Sequence, residues 1–194
     1  NLPGFVVLCP GFPVLGSSLW SSGYMPSQYN GVHIQNNAVE PEKLIPNLGV
    51  GSSEKQNQLG LLSKLNKMYV DRLGGEQPEV EAAVRALESG YRLQMDAMDA
   101  FDIRKEPEKT RARYDLYQDP RGDFGRGCLL ARRLIERGVR MVQVFFGNFQ
   151  PWDHHDDIRI HAKLAQQSDS PIAALIDDLK ERGLFDETLI IIGS

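Results

Sequence analysis

Residues 123–146 read DFGRGCLLARRLIERGVRMVQVFF, and their reading decides the fold. Leu129, Leu130, Leu134 and Ile135 recur at helical spacing over 124–137, with Asp123 as a candidate N-cap and Gly138 as the C-terminal stop. The period then changes. Residues 139–146 form a near-continuous apolar run, the pattern of a buried strand. A strand apolar on both faces belongs to a sheet covered on both sides, so helix followed by strand points to an α/β architecture with parallel pairing.

The same unit recurs downstream. A helix is expected to start near the WDHH segment, and Ser170 (N-cap) with Pro171 (first turn) is expected to open another over 171–182. Gly183 closes it, and the apolar run 188–192 reads as a further strand. Upstream, FVVLC (5–9) lies between Gly4 and Pro10 as a short buried strand, and 31–35 is a second candidate. Between them, 10–31 is rich in Gly, Pro and Ser but holds Trp20, Tyr24, Met25 and Tyr29, which favours an ordered irregular loop. Leu59, Leu62, Leu65, Met68, Tyr69 and Leu73, then Val80, Val84, Leu87, Tyr91, Met95 and Met98, predict two helices. Joined across Gly74–Gly75, they read as an inserted helical hairpin over about 54–98. A short charged helix is expected around 107–114.

Bulk properties narrow the function. The 194 residues suit one α/β domain, with ordinary hydrophobic (41%) and charged (25%) content. A net charge of −4 argues against a nucleic-acid partner held by bulk charge. No apolar segment approaches the roughly 18 residues of a membrane span. Cys9 and Cys128 are too few for a disulfide framework and lack metal-site spacing, so they read as two ordinary thiols. Asn1 opens directly before a strand and Ser194 follows one at once, so the chain is expected to be part of a longer domain.

In open α/β sheets the functional crevice lies beyond the carboxyl ends of the strands. The segment PWDHHDD (151–157) occupies that place after the strand ending at Phe146. Asp153 and His155, two residues apart on an irregular loop, can converge on one ion, with His154 and Asp157 as secondary candidates. Mixed oxygen and imidazole ligands suit zinc, manganese or iron better than an all-oxygen calcium cage. The competing reading is a solvated helix start, with Asp153 as N-cap and acidic groups favouring the dipole end. Elsewhere, Ser21 and Ser22 of WSSGY have no adjacent His or Asp, and Arg132 and Arg133 read as a solvated helix face. His33 and His161 are single histidines read as packing or surface. No Walker loop, dinucleotide fingerprint or GxSxG elbow is present.

LPGFVVL (2–8), LWSSGYMPSQYNGV (19–32), the stretch 123–144, WDHH (152–155) and SPIAALIDDLKERGLFDETLIIIGS (170–194) occur in an order that resembles a bacterial family. It is the domain-of-unknown-function family numbered 1501, often labelled sulfatase-like and placed with alkaline-phosphatase-like proteins. The resemblance spans essentially the whole chain. It implies an alkaline-phosphatase-like sheet flanked by helices, of which this chain is a partial domain. It also implies metal-assisted hydrolysis of sulfate or phosphate esters, on small molecules or polysaccharides, by an exported or periplasmic protein. The divalent metal implied is zinc, manganese, calcium or magnesium. The family's W-D-x-H falls on Trp152, Asp153 and His155, which makes His154 the variable position. The nucleophile it implies lies outside these residues, so the chain alone is expected to be inactive. A non-catalytic binding or scaffold protein on the same fold is the alternative, with the loop 10–31 as its partner surface.

Overall fold

The structure, a computed structural model, describes residues 2–26, 29–37, 98–116 and 121–193, with five further helical positions at 57, 60, 61, 64 and 68. Apart from those positions, the expected helical hairpin lies outside the described residues.

Among the described residues, three short strands form one parallel sheet: β1 (Phe5–Leu8) at its centre, β2 (Val32–Ile34) on one side and β3 (Met141–Val144) on the other. Val6 lies opposite Val32 and Val142, and Leu8 opposite Ile34 and Val144. Parallel neighbours need a long crossover between them, and each connection here supplies one. Paired on both edges, β1 is the most enclosed strand, with Val6, Val7 and Leu8 fully buried.

Strand alternation sends these residues to two faces. Val6, Leu8 and Ile34 enter the main core with Phe101, Ile103, Tyr114, Leu129, Leu130, Leu134 and Ala174. That core lies under α1 (Met98–Phe101), α3 (Arg121–Ile135) and α4 (Arg159–Glu181), with α2 (Glu108–Arg113) packed on α4. On the other side, Trp20 stacks on His33 at 5.0 Å and meets the Phe145 ring edge-on. Among the described residues, then, helices cover one face and the loop 10–31 covers the other. Trp20 is buried at the end of a short 3-10 helix (Gly16–Trp20), whereas Tyr24, Met25 and Tyr29 are exposed. The aromatic content of the loop orders it in part.

Both glycine stops behave as expected. Gly138 (φ +85°) and Gly183 (φ +69°) adopt the left-handed conformation that closes a helix. Val139 N–H then donates to the Leu134 carbonyl, and Leu184 N–H to that of Leu179. Other expectations change. Asp123 sits in the first turn of α3 rather than at its cap. Ser170 and Pro171 open no new helix, because α4 runs through Pro171. Proline cannot donate to the carbonyl four residues back, here that of Gln167. The helix persists because Gln167, Pro171, Ala174, Asp178 and Leu179 are buried on one continuous face and α4 packs against α3.

The run 188–192 makes no strand among the described residues, and Leu189, Ile191 and Ile192 are exposed. An apolar run becomes a strand only where a sheet edge receives it, and periodicity does not report the edge.

Arg132 and Arg133 are not a solvated face. Arg132 is 1% exposed and meets Glu106, Glu136 and Asp178, each at 2.8 Å. Its Nε and Nη2 reach their carboxylates at ion-pair distance without the alignment of a hydrogen bond. Arg133 pairs with Glu106 and donates to the Ala100 and Asp99 carbonyls. Tyr114 donates its hydroxyl to Asp178, and Arg182 bridges Asp178 and Glu136. Charges this deeply buried persist because they are paired. No helix among the described residues is long and apolar enough to cross a membrane.

Candidate functional site

The carboxyl ends of the three strands lead into residues 9–13, 35–37 and 145–157. They are tied together there. Phe145 N–H donates to the Leu8 carbonyl, Cys9 N–H to that of Ile34, and Phe149 N–H to that of Phe12. Pro13 and Phe149 form an isolated bridge that extends the β1–β3 pairing past the sheet. Gly11 allows close approach, because a Cβ there would overlap the Asn148 side chain. Beyond β3 the chain turns sharply, with Gly147 (φ +74°) and Phe149 (φ +56°) both left-handed. A bulky residue in that region is strained, and the bridge to Pro13 is what holds it.

The turn delivers the acidic and imidazole groups. His155 Nε2 lies 2.7 Å from Asp153 Oδ1, so the two principal candidates are brought together. Both side chains face solvent, 85% and 50% exposed respectively. Asp157 is occupied otherwise. Its Oδ1 accepts from the backbone N–H of Arg159, closing the start of α4, and both its oxygens accept from the Arg159 guanidinium. The Arg159 hydrogen bonds hold the Asp157 carboxyl below its ordinary value, and the nearby His154 adds to the effect. His154 itself is exposed. Asp153 is thus not the cap of α4: the side chain bonded to the first helical N–H is that of Asp157, and Asp153 is left to pair with His155.

Carboxylate and imidazole are the donor types of a mixed metal shell; at 2.7 Å they stand at hydrogen-bond separation, and ligand bonds of about 2.1 Å would set them roughly 3.0–3.4 Å apart, a small outward shift for two exposed side chains. They are a partial set. Among the described residues, no three His, Cys, Asp or Glu side chains gather at one point.

Other candidates take structural roles. His33 is half-buried between Phe12 and Trp20, and its Nε2 lies 3.3 Å from the Cys9 carbonyl. Burial lowers its pKa, against the opposing pull of the Cys9 and Gly11 backbone. Cys9 and Cys128 are free and buried. Burial raises both thiols, Cys128 to about 12, which keeps them protonated and poorly nucleophilic. Ser21 Oγ donates to the Ser18 carbonyl and the Ser22 backbone N–H to Asn30 Oδ1, so the Ser21 hydroxyl and the Ser22 backbone are tied into the loop.

Single-residue spacing missed His161. It projects from the first turn of α4 back to the loop, with Nε2 2.9 Å from the Trp152 carbonyl oxygen. The available signal was a histidine nine residues after a loop tryptophan, too weak to separate from packing.

Fold and loop together define an α/β protein with a small parallel sheet flanked by helices and a candidate site beyond its carboxyl ends. The family model described as "Protein of unknown function (DUF1501)" matches residues 1–194, and the chain belongs to that family. Comparison with curated proteins and with solved structures returns no match.

Proposed function

We propose that this chain supplies part of a divalent-metal centre in a hydrolase of sulfate or phosphate esters, on an alkaline-phosphatase-like fold. The observation that supports the reading is the Asp153–His155 pair at 2.7 Å, carried by the loop after the carboxyl end of β3. Asp153 would offer a carboxylate oxygen and His155 its Nε2. Asp153 and His155 would hold the cation, and His155 would have to offer an unprotonated Nε2 to do so. A bound divalent cation supplies charge to polarise an ester oxygen and to orient an attacking one. The chain's own contribution is to hold the two donors on a loop anchored at both ends. The nucleophile is not assigned to any residue of this chain, and an exported location accompanies the reading.

Metal analysis of the protein purified from its full reading frame tests this. Stoichiometric metal in the wild type, lost in Asp153→Ala/His155→Ala together with turnover of an aryl sulfate or aryl phosphate, is the expected result. A folded, metal-free wild type overturns it.

A non-catalytic binding protein is the second reading, favoured by one observation. Phe12, Val14, Leu15 and Phe149 are each more than half exposed, on loops joined by the Pro13–Phe149 bridge. Exposed apolar clusters of this kind are more often contact surfaces than accidents. The same metal analysis separates the two readings.

A further inference from the structure

We infer that His161 is the positioning residue of the Asp153–His155 site, acting on the peptide unit between Trp152 and Asp153. The inference rests on the metal-site reading proposed above and adds to it the device that aims the ligands.

That peptide unit is gripped from both sides. Its carbonyl oxygen accepts from His161 Nε2 at 2.9 Å, and its N–H, belonging to Asp153, donates to the Gln150 carbonyl at 3.1 Å. A planar amide held at both polar ends has little freedom to rotate, so the Cα of Asp153 leaves it in a defined direction. The Asp153 and His155 side chains, by contrast, are at the surface and cannot be aimed by burial. Both ring nitrogens face a carbonyl, Nε2 that of Trp152 at 2.9 Å and Nδ1 that of Ile158 at 3.3 Å, and the grip on the loop is the shorter contact, made when Nε2 carries the proton.

Ring packing supports the grip. Phe124 of α3, Phe146 two residues beyond β3, Trp152 in the loop and His161 of α4 form a row, with centroids 5.1, 5.6 and 6.2 Å apart in turn. The row bridges two helices across the carboxyl end of the third strand. Asp157 fixes the same region by capping α4, which sets the turn from which His161 projects. His161 is thus a group that touches no ligand atom and governs where the ligands stand. Groups of that kind typically change metal affinity about 10–100-fold when removed.

The test uses the protein from its full reading frame, zinc as the probe, and two variants. His161→Phe keeps the ring row and loses the donor; His161→Gln can donate to the same carbonyl. Zinc affinity by chelator competition and hydrogen exchange at the Asp153 amide are read beside the thermal midpoint. His161→Phe is expected to bind zinc about 10–100-fold more weakly and to exchange faster at Asp153, with the midpoint nearly unchanged. His161→Gln is expected to recover most of both. Wild-type affinity and exchange in His161→Phe would overturn the inference. So would equal losses in both variants accompanied by a lowered midpoint, which mark a purely structural histidine. A wild type that binds no zinc, manganese, calcium or magnesium brings down the metal reading and the ligand-aiming role with it. The exchange arm then reports separately whether His161 holds the loop.

Discussion

Asp153 and Asp157 are the same residue type four positions apart, and their surroundings give them different work. Asp157 closes the start of α4 through the Arg159 backbone and guanidinium, while Asp153 meets His155. Single substitutions should therefore part company. Asp157→Ala removes a cap and is expected to lower the thermal midpoint by a few degrees, with altered metal binding only as a secondary effect. Asp153→Ala is expected to leave the midpoint unchanged in metal-free buffer and to abolish metal binding. Thermal denaturation with and without chelator measures both. A lowered midpoint in metal-free Asp153→Ala would return the capping role to Asp153. The sequence presented Asp153 as a possible cap or ligand and Asp157 as a secondary ligand. Choosing between them required the true start of α4 at Arg159.

At the scale of elements, α3 holds glycines at 125 and 127 that propensity alone would replace. Gly costs a helix interior roughly 1 kcal/mol relative to Ala, so Gly125→Ala reads from sequence as stabilising. In the fold, a Cβ at Gly125 would overlap the Tyr114 carbonyl oxygen, and one at Gly127 would crowd Asn36 and Val144. The glycines let the segment after α2, Asn36 beyond β2 and the end of β3 approach the helix. Gly125→Ala is expected to destabilise by about 2–3 kcal/mol, as overpacking against backbone does, and denaturant titration would measure it. A gain in stability would mean that the 114–116 segment can move away freely. The boundaries of α4 carry a similar lesson. Pro171 is a valid start signal by itself, and it was overruled by an apolar face continuous across it. Local signals hold where the backbone alone decides, as at Gly138 and Gly183, and yield where burial decides.

Across the whole molecule, Arg132, Arg133 and Arg182 join Glu106, Glu136 and Asp178 into one network linking α3, α4 and the segment between α1 and α2. Burial by itself would raise the Glu106 and Asp178 carboxyls. The hydrogen bonds and charge of Arg132 and Arg133 at Glu106, and of Arg182 and Arg132 at Asp178, outweigh it and hold both below their ordinary values. A carboxyl lowered on folding stabilises the protein above its unfolded pKa, and that contribution is lost as pH falls through the folded one. Stability from this network should be complete above pH of about 4.5 and decline at lower pH. Denaturant midpoints compared at pH 7 and pH 3 would show it. In Asp178→Asn the decline should be shallower, since one of the two carboxyls is gone. A midpoint flat between pH 7 and pH 3 would remove the network from the account of stability.

What the sequence by itself determined was the alternation of helix and apolar strand, the glycine stops, the parallel α/β class and the place of the WDHH loop beyond a strand. These follow from periodicity and backbone conformation, which neighbouring residues set among themselves. Only the tertiary structure decided that Arg132 and Arg133 are buried, that α4 passes through Pro171, that 188–192 finds no strand partner among the described residues, and that His161 grips the loop. Each of those depends on a partner far along the chain, such as Asp178 for Arg132 or a receptive sheet edge for the last apolar run. A polar side chain becomes a core residue, a cap or a ligand according to what it meets, and spacing does not record the meeting.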